Sequence, residues 1–459
     1  MPTMEDQINA AARELDSLLI DRHGSDRELF AELDRAQIEL GVTSGSRPIS
    51  PFLRPQLMSR EKYDRIVRAA EILFGAFEKM ALAALDEPAI MAELALTERE
   101  ERYARIDPGY PEVCNTSRLD AFLNGYEFKF LEYNGETPAG ITDQIQIEKV
   151  LARIPTVQAF LNENPVWMAR PHRRLLEALI GAYRDFAGQK AKPNIAIVDW
   201  KGVSTSAEFD VLKEYFELEG HKTIITEPNK FEYNGSTLSV EGVEIDIFYK
   251  RVVIHEFLDR CTDDDPFFKA YRDGNIFMAN SFRAKIPHKK ASFAVLQDER
   301  WAGLFTPEEH EMIRRHLPWT RRVREGETKY KDSTIDLIEL LRSHREKFLL
   351  KPNDDYGGSG IIVGWESTES EWDAALEQAL AEPFVVQERA VVEKVEFPMY
   401  DGPKAEMHEL LIDFDPFLFR GRVEGGLVRL SPQSLVNVAA GGGEAALAVL
   451  EPGVTQLSD

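Results

Sequence analysis

Three short apolar runs near the middle of the chain constrain its fold most: Asn194-Ile-Ala-Ile-Val-Asp-Trp200, Lys222-Thr-Ile-Ile-Thr226 and Glu244-Ile-Asp-Ile-Phe-Tyr-Lys-Arg251. Apolar runs of this length without polar alternation read as strands buried on both faces, as in a parallel sheet. A helical pattern over residues 206–218 separates the first two, and strand, helix, strand at this spacing makes an α/β unit. Tyr233-Asn234-Gly235-Ser236 has the residues of a hairpin turn, and Lys192-Pro193 marks a boundary ahead of the unit.

Around this unit the pattern changes. Residues 4–40 and 59–96 carry apolar positions at three- and four-residue steps, so they are expected to be amphipathic helices, the second capped by Ser59. Residues 126–133 alternate as a strand and end in the turn Asn134-Gly135-Glu136-Thr137-Pro138; residues 141–151 return to helix. From Lys347 the order is strand (348–351), glycine loop, strand (361–364), helix (371–380) and strand (384–388), and the last hundred residues read as antiparallel sheet. At 459 residues the chain is too long for one ordinary core. The expected division is 1–100 helical, 101–190 the first part of a core, 191–280 the parallel unit and 281–459 the remainder, in a mixed α/β fold.

The net charge of −24 opposes a nucleic-acid or anionic-membrane partner, since either needs a basic footprint. Only Cys114 and Cys261 are present, without metal-ligand spacing, and no apolar run approaches bilayer length. A cytoplasmic location is the expectation. The amino-terminal helices are expected to pack on the core or to form a homodimer interface.

Three separated segments carry chemistry. Glu132 and Asn134, two apart at a strand end, project to one face and offer two hard oxygen ligands suited to magnesium. Taken alone, the pair is more readily a solvated strand residue and a turn former. Lys351 ends the apolar run Phe348-Leu-Leu350, so its ammonium needs a polar partner, and a phosphate is one such partner. Gly357, Gly358 and Gly360 after it let backbone N–H groups approach phosphate oxygens and let a loop close as a lid; a tight glycine turn is the alternative. Lys289-Lys290 opens a helix, where lysines oppose the helix dipole unless an anion is near. Gln387 and Glu388 end an apolar strand that could present its edge to an adenine. His288, His344 and His408 are isolated, which disfavours zinc, and no Gly-x-Ser-x-Gly is present.

In their order, these segments resemble the circularly permuted ATP-grasp ligases of the eukaryotic-type glutathione synthetase and glutathionylspermidine synthetase branch. Arg118-x-Asp120 followed by Glu132-Tyr-Asn134 looks like that family's substrate arginine and metal pair, and Lys289 is similar to its nucleotide lysine. Lys351-Pro352 with Gly357-Gly358 looks like its phosphate lysine and lid, Asp355 stands where it has a third, glutamate, ligand, and Gln387-Glu388 falls at its adenine linker. The stretch Gly441-Gly442-Gly443 to Glu451-Pro452 resembles its Ala/Gly-rich carboxy-terminal loop; Arg420, Arg422 and Arg429 lie nearby without a secure match. The resemblance implies an ATP-grasp fold in permuted order with an inserted parallel-sheet substrate domain. It also implies ATP and Mg²⁺ as cofactors, small carboxylate and amine substrates (amino acid, peptide or polyamine), and amide formation through an acylphosphate. A small-molecule kinase on the same ATP cradle, or an inactive nucleotide-binding scaffold, is the alternative.

Overall fold

The computed structural model describes residues 4–186, 188–355, 358–433 and 442–452. The first apolar periodicity forms two helices, Met4–His23 and Arg27–Leu40, because the repeat is interrupted at Gly24 and Asp26 starts the second helix by accepting from Leu29 N–H. Ser59 caps the long helix Arg60–Asp86 in the same way, through Lys62 N–H. This helix stops before residue 96: Pro88 has no N–H to continue the ladder and instead opens a short helix, Pro88–Leu94.

The architecture is mixed α/β with several sheets. The parallel sheet has the strand order Phe277–Ala279, Ile247–Lys250, Ile195–Val198, Thr223–Thr226. The helix Ser206–Leu218 crosses over between its last two strands. The turn at Asn234 is an Asx turn, its Oδ1 accepting from the N–H groups of Ser236 and Thr237.

Two antiparallel sheets matter most for function. The larger has six strands: Gly443–Ala445, Arg422–Ser431, Lys404–Phe419, Thr116–Asn124 and Glu127–Asn134 in order, with Lys394–Asp401 also paired to Lys404–Phe419. The smaller runs Thr320–Arg322, Phe384–Glu388, Phe348–Pro352, Ile362–Val363. Strand Leu447–Leu450 pairs in parallel with Gln56–Ser59, which ties the carboxy-terminal part of the chain to its amino-terminal part.

The main core lies where the helix Arg60–Asp86 packs Ile66, Leu73 and Phe77 against Leu119, Phe130 and Phe414 of the large sheet. Full burial of such side chains contributes about 2 kcal/mol each. Ile8, Leu15 and Leu33 of the first two helices form a second cluster with Tyr400 and Leu450. Asn280, at the end of the parallel sheet, accepts from Asn115 and Thr116 N–H and donates to Gly135 C=O, fixing that sheet to both strands of the hairpin that carries Glu132. Cys114 and Cys261 are both buried and free. Among the described residues no helix is long and apolar enough to cross a membrane.

Candidate active site

A cavity of about 700 Å³ lies between the two antiparallel sheets. One wall comes from the hairpin of the large sheet. In its register Arg118 stands opposite Asn134 and Asp120 opposite Glu132, so the two-residue period of each strand puts all four side chains on one face. The facing wall is Leu349 and Lys351, with Gly358, Ile361 and Val363 beyond them and residues 387–392 along the side.

Asp120 organises the first wall. Arg118 binds it through two nitrogens at 2.8 and 2.9 Å, Asn134 Nδ2 donates to it at 2.9 Å, and Arg429 reaches it at 3.0 Å. Burial alone would raise its pKa, but the two guanidiniums overcome that and hold it at about 2. Arg118 is therefore not a free cation. It also donates to Ala139 C=O, leaving N–H groups on its terminal nitrogens toward the cavity it lines.

Glu132 lies against Lys290, whose Nζ is 2.8 Å from Oε1 and also donates to Asp355 C=O at 2.5 Å. Burial works against its charge, and Lys290 with Lys351 outweighs burial, so the carboxylate stays ionised below its ordinary range. Lys351 donates to Gln387 Oε1 at 2.8 Å and Leu131 C=O at 3.1 Å. Burial lowers its pKa to about 8, despite the nearby Glu132.

At the far end Arg429 faces three carboxylates, at 3.0 Å from Asp120 and 2.7 Å from each of Asp413 and Asp415. Burial pushes both Asp413 (to about 6) and Asp415 upward, because one guanidinium cannot balance three buried negative charges. Of the three carboxy-terminal arginines only Arg429 reaches the cavity. Arg420 pairs with Glu112 and Asp185, and Arg422 with Glu71.

The cavity thus brings together Arg118, Glu132, Asn134, Lys351, Gly358, Gln387 and Glu388. Gln387 is committed to Lys351 and to Thr320 Oγ1, and Glu388 accepts from Tyr330 OH at 2.6 Å. Two of the expected residues stand elsewhere. Lys289 is 2 % exposed and turned into the protein, held by Glu100 at 2.9 Å and Asp354 at 2.6 Å; it does not line the cavity. Adjacent residues at a helix start point in different directions, and it is Lys290 that meets Glu132. Asp355 is absent from the wall, offering its carbonyl to Lys290. Gly357 and Gly441 lie outside the described residues. Gly358 and Gly360 have φ near +75° and +67°, and a Cβ at Gly360 would stand 2.7 Å from the Pro352 ring.

Beneath the loop sits a buried ionic cluster that sequence reading missed. Lys285, fully buried, lies 2.7 Å from Glu136 and 2.6 Å from Asp354. Glu136, His288 and Asp354 have ligand atoms within 4.8 Å of one another, but the Lys285 ammonium already sits among them. Asp413 and Asp415 had a readable signal: two acids in an otherwise apolar strand, Leu410-Leu-Ile-Asp-Phe-Asp-Pro416, need a buried cation such as Arg429.

By sequence, the chain matches no protein-family model and no curated protein. By structure it is similar to a glutathione synthetase-like effector of Globodera pallida, with a TM-score of 0.57 and 11 % identity over 92 % of this chain and 97 % of that one. A protein assigned as a γ-glutamylcysteine synthetase, from Methylobacillus flagellatus, overlays at a TM-score of 0.43 and 12 % identity over 79 % of this chain and 88 % of its own, too loosely to carry an argument. At 11 % identity the first likeness speaks to architecture, and over nearly their whole lengths the two chains share a fold.

Proposed function

We propose that the chain is an ATP-dependent carboxylate–amine ligase. The observation that carries this reading is that Glu132 and Asn134 face Lys351 across one cavity between two antiparallel sheets. The metal pair comes from a segment that precedes the glycine loop in the chain, which supports an ATP-grasp core in circularly permuted order. Residues 101–190 and 281–459 would form its two walls, residues 1–100 would buttress them, and the parallel unit, 191–280, would receive the second substrate.

The donor set fits magnesium. Glu132 is ionised, and Asn134 commits its Nδ2 to Asp120, so the amide oxygen is its ligand atom. Glu132 and Asn134 would hold the ion, with Asp355 joining on closure of the glycine loop. Bound there, magnesium would neutralise part of the triphosphate charge. Lys351 supplies a fixed ammonium to the phosphates, kept in place by Gln387, and Gly358 and its neighbours close over them. The expected strand edge at Gln387 and Glu388 is not open: the strand is paired on both sides, and the N–H groups of Glu388 and Arg389 go to Trp319 and Lys347 C=O. Adenine would therefore meet the backbone just beyond, at residues 390–391. Arg118, through the N–H groups that Asp120 and Ala139 leave open, would meet the negative charge that develops as a substrate carboxylate attacks the γ-phosphorus and ADP leaves, while Arg429 holds Asp120, Asp413 and Asp415 in place. An amine then attacks the acylphosphate carbonyl, forming the amide and releasing phosphate and a proton. No protein nucleophile is required.

The test follows the carboxylate oxygen. Acid and amine pairs are screened for ADP release, and the active acid is then labelled with heavy oxygen. One labelled oxygen is expected in free phosphate, and turnover is expected to need both substrates. Transfer of the phosphoryl group to a hydroxyl, with no free phosphate, would instead establish a kinase.

A pH effect also follows. Lys351 loses its proton as pH rises through about 8 in the free protein, so affinity for ATP is expected to fall above that pH, by up to about tenfold per unit. Because bound phosphates favour the charged lysine, ATP binding at about pH 8.5 takes up a proton. Calorimetry in two buffers of different ionisation enthalpy reads this directly; the same heat in both would exclude it.

A further inference from the structure

A second and larger cavity, about 1080 Å³, shares residues 388–391 with the first as a common wall. It is of the size that holds small molecules, and much of its lining is apolar, including Leu296, Ile313, Leu317 and the half-buried Trp319.

Its charges are unevenly satisfied. Glu127 pairs with Arg315 at 3.0 Å, Asp298 with Arg300 at 2.6 Å, Glu299 with Lys329 at 2.5 Å, and Glu311 with Arg314. Four cations of the same lining, Lys129, Arg321, Lys331 and Arg389, have no carboxylate in ion-pair range among the described residues. Lys129 instead donates to Arg315 C=O and Arg321 to Thr320 C=O. Arg321 lies over the Trp319 ring at 5.0 Å, Lys331 over Tyr330 at 5.2 Å and Arg389 over Trp365 at 4.3 Å. Glu388 has no cation within ion-pair range among the described residues and accepts from Tyr330 OH; at longer range it and Glu127 favour the charge of Lys129, and Asp298 and Glu299 that of Arg321. The lining itself carries six lysines and arginines against five carboxylates, a small local surplus of positive charge in a chain of net charge −24. Burial depresses the pKa of both Lys129 and Arg321, as happens when nearby negative charge does not make up for lost water.

We propose that this cleft is a second ligand site, for a small molecule with an aromatic or apolar body and one anionic group, coupled to the first cavity through their shared wall. The anion would sit between Lys129 and Arg321, and the body would lie on Trp319 and Leu317. The coupling has a physical route. Trp319 meets the Tyr330 ring edge-on at 5.1 Å, Tyr330 OH donates to the Glu388 carboxylate at 2.6 Å, and Glu388 N–H donates to Trp319 C=O at 2.8 Å. A ligand that shifts Trp319 therefore moves a residue that lines both cavities. Only the coupling rests on the nucleotide reading of the first cavity; binding in the cleft does not.

Anilinonaphthalene sulfonate, an aromatic anion, is a suitable probe, with N-phenylnaphthylamine as the same body lacking the sulfonate. Fluorescence titrations use the full chain, with and without saturating magnesium and a non-hydrolysable ATP analogue. The sulfonate is expected to bind wild type at least about tenfold more tightly than the neutral compound, to persist with nucleotide present, and to bind the double variant Lys129→Met, Arg321→Met at least about tenfold more weakly. It is also expected to change the affinity for the analogue by at least about threefold, and the analogue to change its affinity by the same factor. Equal binding of the two probes to wild type, or competitive displacement of the sulfonate by the analogue, would overturn the site, and neither result depends on the variant folding. Sulfonate binding without any change in nucleotide affinity would overturn the coupling. Sulfonate binding sensitive to the two substitutions, in a protein that binds no nucleotide, would leave the site standing and refute the ligase reading.

Discussion

Lys351→Met is expected to weaken binding of magnesium–ATP about 100-fold, roughly 3 kcal/mol, while leaving the protein folded. The size follows from the environment of the ammonium. Lys351 is 6 % exposed and, among the described residues, donates to Gln387 and Leu131 oxygens, so a phosphate meets a cation already stripped of water and held in place. The same burial that lowers its pKa is a standing cost to the folded state without ligand. Methionine has similar length and no charge, so it removes that cost and the thermal midpoint should not fall. Calorimetric titration with a melting curve separates the two effects. Unchanged affinity would remove Lys351 from the phosphate site, and an unfolded variant would contradict the reading of its burial.

Lys285→Met is expected to have the largest effect on stability, a loss of about 3–5 kcal/mol, because it leaves buried carboxylates without their counter-charge. Lys285 is the ammonium at 2.7 Å from Glu136 and 2.6 Å from Asp354, and it holds Glu136 at a pKa of about 2 against burial. Since that value lies below the unfolded one, the contribution of Glu136 is complete above about pH 4.5 and is lost as pH falls toward about 2. The penalty of the substitution should therefore shrink in acid, where Glu136 of the variant takes up a proton. Adding Glu136→Gln should recover part of the loss. Urea unfolding at neutral and acidic pH measures both, and a loss below about 1 kcal/mol at neutral pH would show that the cluster is not a stabilising ion-pair network.

What could be read from sequence depended on how local the cause was. The runs at Ile195–Val198, Thr223–Thr226 and Ile247–Lys250 were legible because strands buried on both faces need only their own apolar residues as a signal. Glu132 and Asn134 sharing a face with Arg118 and Asp120 follows from strand period and a short hairpin. The orientation of Lys289 and Lys290 was not legible. It is decided by Glu100, Glu132 and Asp354, which come from three distant parts of the chain, and no periodicity applies between the short helices Lys285–His288 and Ala291–Leu296. The parallel pairing of Gln56–Ser59 with Leu447–Leu450 was hidden for the same reason, as each strand is four residues long and its partner lies at the other end of the sequence. The breaks at Gly24 and Pro88 are visible as residue types, but the apolar periodicity runs on across both, so the pattern alone does not divide the helices there. Arg429 was visible only as one of three arginines; its selection depends on Asp413 standing directly opposite it in the sheet.

In the proposed function, Glu132 and Asn134 make this cavity a magnesium–nucleotide site. The most direct measurement is calorimetric titration of the wild-type chain and Glu132→Gln with ATP, each with and without magnesium. Magnesium is expected to tighten ATP binding to the wild-type chain by at least about tenfold, and Glu132→Gln to remove most of this gain while the variant keeps its fold. Equal affinity with and without magnesium, or a magnesium effect that survives in Glu132→Gln, would contradict the proposed site.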